Sequence, residues 1–273
     1  MTILTTPILV TGGTGTLGSH VVPLLRAAGR EVRILSRHSR ESVADPGVEY
    51  VAVDLLTGEG IEPALAGVDT VLHLAGGNKG DDRATRNLVR AATNAGVRHL
   101  LHISVIGADT MPIGWFRTQL AAEREVTESG IPWTMLRAAQ FHDLVLTMAE
   151  KMAKLPVVPV PGGLRFQPVD SREVAARLVE LTLGGPAGLV PDLAGPTVYG
   201  LGDLVRGYLE ADGRRRPLLP LRMPGKAGRA YRAGDNLSLT DADTGKRTWE
   251  KFLAERVGWA REGGSEGEAR EIC

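Results

Sequence analysis

Gly12, Gly15 and Gly18 stand three residues apart, directly after the apolar run Ile8-Leu9-Val10-Thr11 and at the head of an amphipathic segment carrying Leu17, Val21, Leu24 and Leu25. Spacing of this kind suits a dinucleotide diphosphate. One glycine allows a tight turn out of a strand, one lets backbone amides approach the phosphates, and one brings the following helix close to the sheet. That helix would aim its free amides and positive dipole end at the anion. The expected binding set is therefore Gly12, Thr14, Gly15, Thr16, Leu17 and Gly18.

The coenzyme form is read about twenty residues further on, where an acid would hold a ribose diol. Here the second apolar run, Val32-Arg33-Ile34-Leu35, ends in Ser36 and Arg37, with Arg40 close behind and no acid before Glu41. A hydroxyl and guanidinium groups suit a ribose 2′-phosphate, so NADP(H) is the expected cofactor. The competing reading is that Arg37 and Arg40 are solvated loop charges. Asp54 and Leu55 would meet the adenine edge, with a turn aspartate as the alternative for Asp54. Leu74, Ala75 and Gly76 supply small or apolar residues where a cofactor must pass.

The elements that must position these residues alternate. Strands are expected at 7–11, 31–36, 48–53, 70–75, 99–104 and 133–137, with helices at 16–28, 82–95 and 116–129. Strands separated by helices predict an α/β fold: a Rossmann-type, doubly wound parallel sheet. Past residue 155 the chain reads as a small, mostly helical C-terminal cap lying over the carboxyl ends of the strands. It has a strand over 164–169 and helices over 171–183, 202–211 and 246–257. The expected domains are 1–155 for the dinucleotide-binding core, 156–260 for the cap interleaved with the last core strand and helix, and 261–273 for a disordered tail.

Composition narrows the partners. Thirty-two basic and thirty-two acidic residues give a formal charge of zero, which offers nothing to attract nucleic acid or an anionic membrane. A small-molecule substrate is expected instead. Cys273 is the only cysteine, so no intramolecular disulfide forms, and no apolar run is long enough to span a bilayer. With the first strand close to Met1 there is no room for a secretory signal, and a cytoplasmic location is expected. His99 and His102 suggest a metal, but on a strand residues three apart face opposite sides, so no metal site is expected.

Taken together, Thr11-Gly-Gly-Thr-Gly-Thr-Leu-Gly18, Asp54-Leu55, Leu74-Ala-Gly76, Ala84 to Ala92, Ser104-Val-Ile-Gly107, Pro132 to Arg137 and Arg165 to Asp170 resemble the short-chain dehydrogenase/reductase superfamily. The resemblance is to its atypical, NmrA-like NAD(P)-binding branch and spans about residues 7 to 185. It implies a substrate over the nicotinamide near Ser104, the superfamily's catalytic serine. The superfamily's tyrosine and lysine, four apart on the next helix, are replaced by Trp115 and Gln119. An indole does not titrate and an amide carries no charge, so ordinary alcohol oxidation is not expected.

Two functions remain open from the sequence. One is reduction of a quinone or conjugated carbonyl, with Ser104 and Trp115 only polarising an oxyanion that solvent protonates. The other is a non-catalytic NADP-responsive sensor or regulator. His142, after the sixth strand, could supply a proton, with a surface or capping role as the alternative. The helix carrying Trp115 and Gln119 is one that related folds use for pairing, which leaves room for a homodimer.

Overall fold

The computed structural model describes residues 6–37, 45–77 and 79–263, the side chains of 258–263 excepted. The first part runs β1 (Ile8–Thr11), α1 (Gly18–Ala27), β2 (Val32–Ser36), β3 (Val48–Ala52), α2 (Ile61–Ala64) and β4 (Thr70–His73). It continues with α3 (Asp81–Asn94), β5 (His99–Val105), α4 (Gly114–Thr127) and β6 (Trp133–Ala138). After α5 (His142–Ala153), β7 (Val158–Pro161) and β8 (Arg165–Phe166) come α6 (Ser171–Leu183), β9 (Gly188–Leu189) and β10 (Leu193–Ala194). The last elements are β11 (Tyr199–Gly200), α7 (Leu201–Ala211), β12 (Leu218–Leu221), α8 (Gly225–Ala233), β13 (Asp243–Thr244) and α9 (Trp249–Gly263).

Two compact units result: residues 1–138 with 171–192, and residues 139–170 with 193–273. The boundary expected at residue 155 therefore falls inside the second unit, and the first is assembled from two stretches of chain.

In the first unit the strands lie in the order β3-β2-β1-β4-β5-β6, all parallel, and β9 pairs with β6. Every residue of β1 is buried, as a strand covered on both faces requires. The order reverses between β1 and β4. Right-handed crossovers then send the helix after β1 and the helix after β4 to opposite faces. α1 packs with α6, and α3 packs with α2 and α4. Leu9, Val71, Leu100 and Met135 from four strands meet Leu88 and Ala92 of α3 in one buried cluster. This is the expected doubly wound Rossmann sheet. Ligands of such sheets bind where the order switches, outside the carboxyl ends of the strands, and here Thr11 and His73 are register partners at that point.

The second unit has its own core, in which Val145 and Ala149 of α5, Leu204 and Leu209 of α7, and Trp249 and Phe252 of α9 are buried together. The Trp249 indole N–H, taken out of water, donates to the Leu204 carbonyl at 3.1 Å. β7 and β12 form a parallel pair, and β8 and β11 an antiparallel one. The strand expected over 164–169 is reduced to Arg165–Phe166 and an isolated bridge between Phe141 and Val169.

Candidate cofactor site

The three glycines of the first turn differ in what the protein itself demands of them. Gly12 has φ +67°, and a Cβ there would come within 2.8 Å of the Ala75 amide nitrogen. A Cβ on Gly18 would overlap the Gly12 carbonyl oxygen. Gly15 is different: its nearest neighbour would be the Gly12 oxygen at 3.4 Å, an ordinary contact, and Thr14, Gly15 and Thr16 are all exposed. The fold thus requires glycine at 12 and 18 but leaves space at 15. A diphosphate drawn against the backbone accounts for that space. Among the described residues no side chain caps α1, and its first turn carries no acid, so the positive end of the helix is left for an external anion. Leu17, buried, anchors the start of α1. The residues present therefore fit a dinucleotide.

Across the switch point, Thr11 ties the two strand ends together. Its hydroxyl oxygen accepts the amides of Leu74 and Ala75, both at 3.1 Å. Its own proton must then go to His73 Nδ1, 2.7 Å away, which leaves His73 protonated at Nε2 and donating to Thr85 Oγ1 at 3.0 Å. His102 stacks on His73 with ring centroids 5.1 Å apart. Burial lowers the pKa of both, that of His102 to about 4, so both rings are neutral at pH 7. Neither was anticipated near the site; the signal missed was a strand-terminal threonine with a polar partner on the neighbouring strand.

The residues expected to polarise a substrate are occupied within the first unit. The Ser104 hydroxyl donates to Glu123 Oε1 at 2.6 Å, and Glu123 is paired through both oxygens with Arg137, which also reaches Asp109. Hydrogen bonds that the Arg137 guanidinium donates to these carboxylates hold it above its ordinary pKa. Ser104 therefore gives its proton to an internal carboxylate rather than offering it to a ligand. Trp115, 38% exposed, donates its indole N–H to the Gly77 carbonyl at 3.1 Å. Gln119, 8% exposed, donates to Asp81 Oδ2 at 2.6 Å, and Asp81 Oδ1 accepts the Gly77 amide at 2.8 Å. Burial raises the Asp81 pKa against the pull of those two donors. Asp81 holds the loop rather than capping α3, whose N-cap position is Gly80.

His142 does not reach solvent. It opens α5 in the second unit at 0% exposure, beside the stacked Trp249 and Phe252 rings at 5.7 and 5.1 Å, so the structure makes it a core residue instead of a proton donor.

Ser36 ends β2 half-buried and Arg37 follows it exposed, while Arg40 lies outside the described residues. Asp54 Oδ1 accepts the Leu56 amide at 2.9 Å, the turn reading of that residue, and Leu55 packs on the adjoining core. Gly76 is exposed beside the turn. No cluster of metal-ligating side chains occurs among the described residues. Nor is any described helix long and apolar enough to cross a membrane.

Against known proteins, residues 12–181 match the model of a family described as NAD(P)H-binding. The chain belongs to this NAD(P)H-binding family, among the atypical short-chain dehydrogenases/reductases. Over 194 residues it is 35% identical to a (4-alkanoyl-5-oxo-2,5-dihydrofuran-3-yl)methyl phosphate reductase from Streptomyces griseus, a match covering 69% of this chain and 68% of that protein. An NAD(P)H azoreductase from Xenophilus azovorans is 30% identical over 212 residues, covering 76% and 74% of the two chains. Among solved structures, an NADPH-dependent quinone oxidoreductase from Escherichia coli, complexed with NADPH, superposes with a TM-score of 0.78 at 21% identity. That superposition covers 91% of this chain and 99% of the other, a likeness of fold.

Proposed function

We propose that this NAD(P)H-binding protein is an NADP(H)-dependent reductase of conjugated acceptors, either quinones or enones activated by a second carbonyl. The observation that carries the reading is that Ser104, Trp115 and Gln119 each donate to an internal acceptor and that neither Trp115 nor Gln119 is a titrating acid. When bound, the reduced nicotinamide supplies a hydride. A simple ketone would then need a positioned acid to protonate a strongly basic alkoxide. A quinone or doubly activated alkene yields a stabilised anion that takes its proton from water, so nothing in the chain need titrate.

The protein's part is to bind and orient. Backbone amides of the turn at Thr14, Thr16 and Leu17 take the diphosphate, and Gly15, whose own amide donates to the Gly12 carbonyl, lets it approach. Ser36 and Arg37 take the 2′-phosphate through charge-assisted bonds. Asp54 and Leu55 border the adenine, while Leu74, Ala75 and Gly76 flank the cofactor's path. The relatives' names describe substrates of one electronic kind: an alkanoyl-oxo-dihydrofuran, an azo compound and a quinone.

The test is to follow NADPH absorbance with a panel of 1,4-quinones, 2-acyl enones and unconjugated ketones. Oxidation is expected with the first two classes and not with the third, and NADPH should be favoured over NADH. Reduction of an unconjugated ketone at a comparable rate overturns the reading. The engaged donors also suit a silent cofactor sensor, which is the conclusion if NADPH binds but no acceptor in the panel is reduced.

A further inference from the structure

The two positions where the superfamily keeps its tyrosine and lysine have not been left idle. Trp115 and Gln119 lie one turn apart on α4 and so share a face. Both lead to one residue, Gly77: Trp115 donates to its carbonyl at 3.1 Å, and Gln119 steadies Asp81, which accepts its amide at 2.8 Å. The other end of the same loop is held by Thr11 through the amides of Leu74 and Ala75. Gly76 therefore sits between two anchors, at the crevice where β1 and β4 part.

What this arrangement holds is not core. Gly76 and Gly77 are exposed, and a Cβ on either would meet nothing closer than Asp81 oxygens at 3.9 and 3.6 Å. A carboxylate is buried to 9% exposure, against its desolvation cost, in order to fix a solvent-facing glycine amide. That expense brings no packing in the free protein. It is repaid if the loop must already be in its bound shape when a ligand arrives, because ordering it beforehand removes that cost from binding.

We infer that Trp115 and Gln119 are positioning residues for the cofactor: through Gly77 and Asp81 they hold the Gly76–Gly77 segment of the cradle in its binding conformation. The helix face that performs proton chemistry elsewhere in the superfamily serves as an anchor for dinucleotide affinity in this chain. The inference rests on NAD(P)H binding and stands whether or not any acceptor is reduced.

The experiment measures NADPH dissociation constants by calorimetry on the full chain without any acceptor, alongside melting temperatures, so failure of the reductase reading does not affect it. Gln119→Leu is expected to weaken NADPH about tenfold, or roughly 1.4 kcal/mol, and Trp115→Phe a few-fold, at temperatures far below either melting point. Gln119→Glu sets two carboxyls against each other. Its affinity should be poor at pH 8 and better at pH 5.5, because burial raises the Asp81 pKa and acidification favours a proton shared by the pair; Asp82 is the other charge acting on Asp81. Wild-type affinity in both Gln119→Leu and Trp115→Phe overturns the inference, as does a Gln119→Glu defect that is the same at both pH values. Should Gln119→Leu not fold, Trp115→Phe and Gln119→Glu decide the matter, and wild-type affinity in those two is equally fatal.

Discussion

The glycine turn at 12–18 and the α4 face at 115–119 stand on the same unit and use their polar groups in opposite ways. At the turn the fold leaves room that no side chain claims: a Cβ on the exposed Gly15 would make only an ordinary contact, and no side chain caps α1 among the described residues. On α4 both candidate side chains donate internally, Trp115 to Gly77 and Gln119 to Asp81, just as Ser104 of β5 donates to Glu123. Under the proposed reductase function, a site whose side-chain donors are engaged internally binds and aligns, with proton transfer left to the substrate and the solvent.

The contrast can be broken or sharpened experimentally. The largest effect is expected from Gly18→Ala, whose Cβ overlaps the Gly12 carbonyl; it should cost about 3 kcal/mol or more of stability, read as a shifted urea midpoint. A near-wild-type midpoint would mean that the turn is looser than described.

Next comes acidification. His73 and His102 are buried neutral, with pKa values lowered from the ordinary 6.5 and, for His102, to about 4. Below pH 6.5 the unfolded chain binds protons that the native rings refuse. Stability is therefore complete above that pH and falls toward pH 4, by about 1.4 kcal/mol per unit for each ring. Asp81, raised instead, works in the opposite direction at the acid end of this window and offsets part of the loss. Urea midpoints at pH 7.5, 6.5, 5.5 and 4.5 should show the decline, and His102→Met should remove its own share, leaving that of His73 and of His99, whose pKa burial also lowers.

Gly15→Ala is the inverse of Gly18→Ala. Stability should stay within about 1 kcal/mol, while NADPH affinity falls about tenfold. If calorimetry finds affinity intact, the open space at Gly15 is not where the diphosphate rests. Ser104→Ala removes one hydrogen bond to a buried carboxylate and should lower stability by about 1.5 kcal/mol, measured by thermal unfolding.

Much of the first unit was legible in the sequence because its strands are covered on both faces and so read as continuous apolar runs; the six expected there match β1 to β6 to within one or two residues at each end. The second unit was harder. α8 buries only Gly228 and Ala230, which gives no apolar period to detect. Pro159, Pro161 and Pro220 read as breakers, yet they sit in β7 and β12, a parallel pair isolated from the main sheet. The assignment of residues 139–155 to the core failed because α5 carries its apolar side to α7 and α9, a choice made by partners distant in sequence.

At the site the same divide holds. The glycine roles are local and can be read from spacing. The partners of Thr11, Gln119 and Ser104 lie 62, 38 and 19 residues away, and nothing in the neighbouring sequence identifies them. Once α4 is known to share a unit with α3, the replacement of tyrosine and lysine by tryptophan and glutamine reads as a new set of bonds as well as a loss of chemistry.

The first unit is discontinuous, with α6 and β9 returning to it after the chain has entered the second. During synthesis on the ribosome, a nascent chain ending at residue 138 holds β1 to β6 but lacks α6, the helix that packs with α1. That side of the unit stays uncovered until residues 171–192 emerge, so the first unit is completed only after the opening stretch of the second, residues 139–170, has already been made.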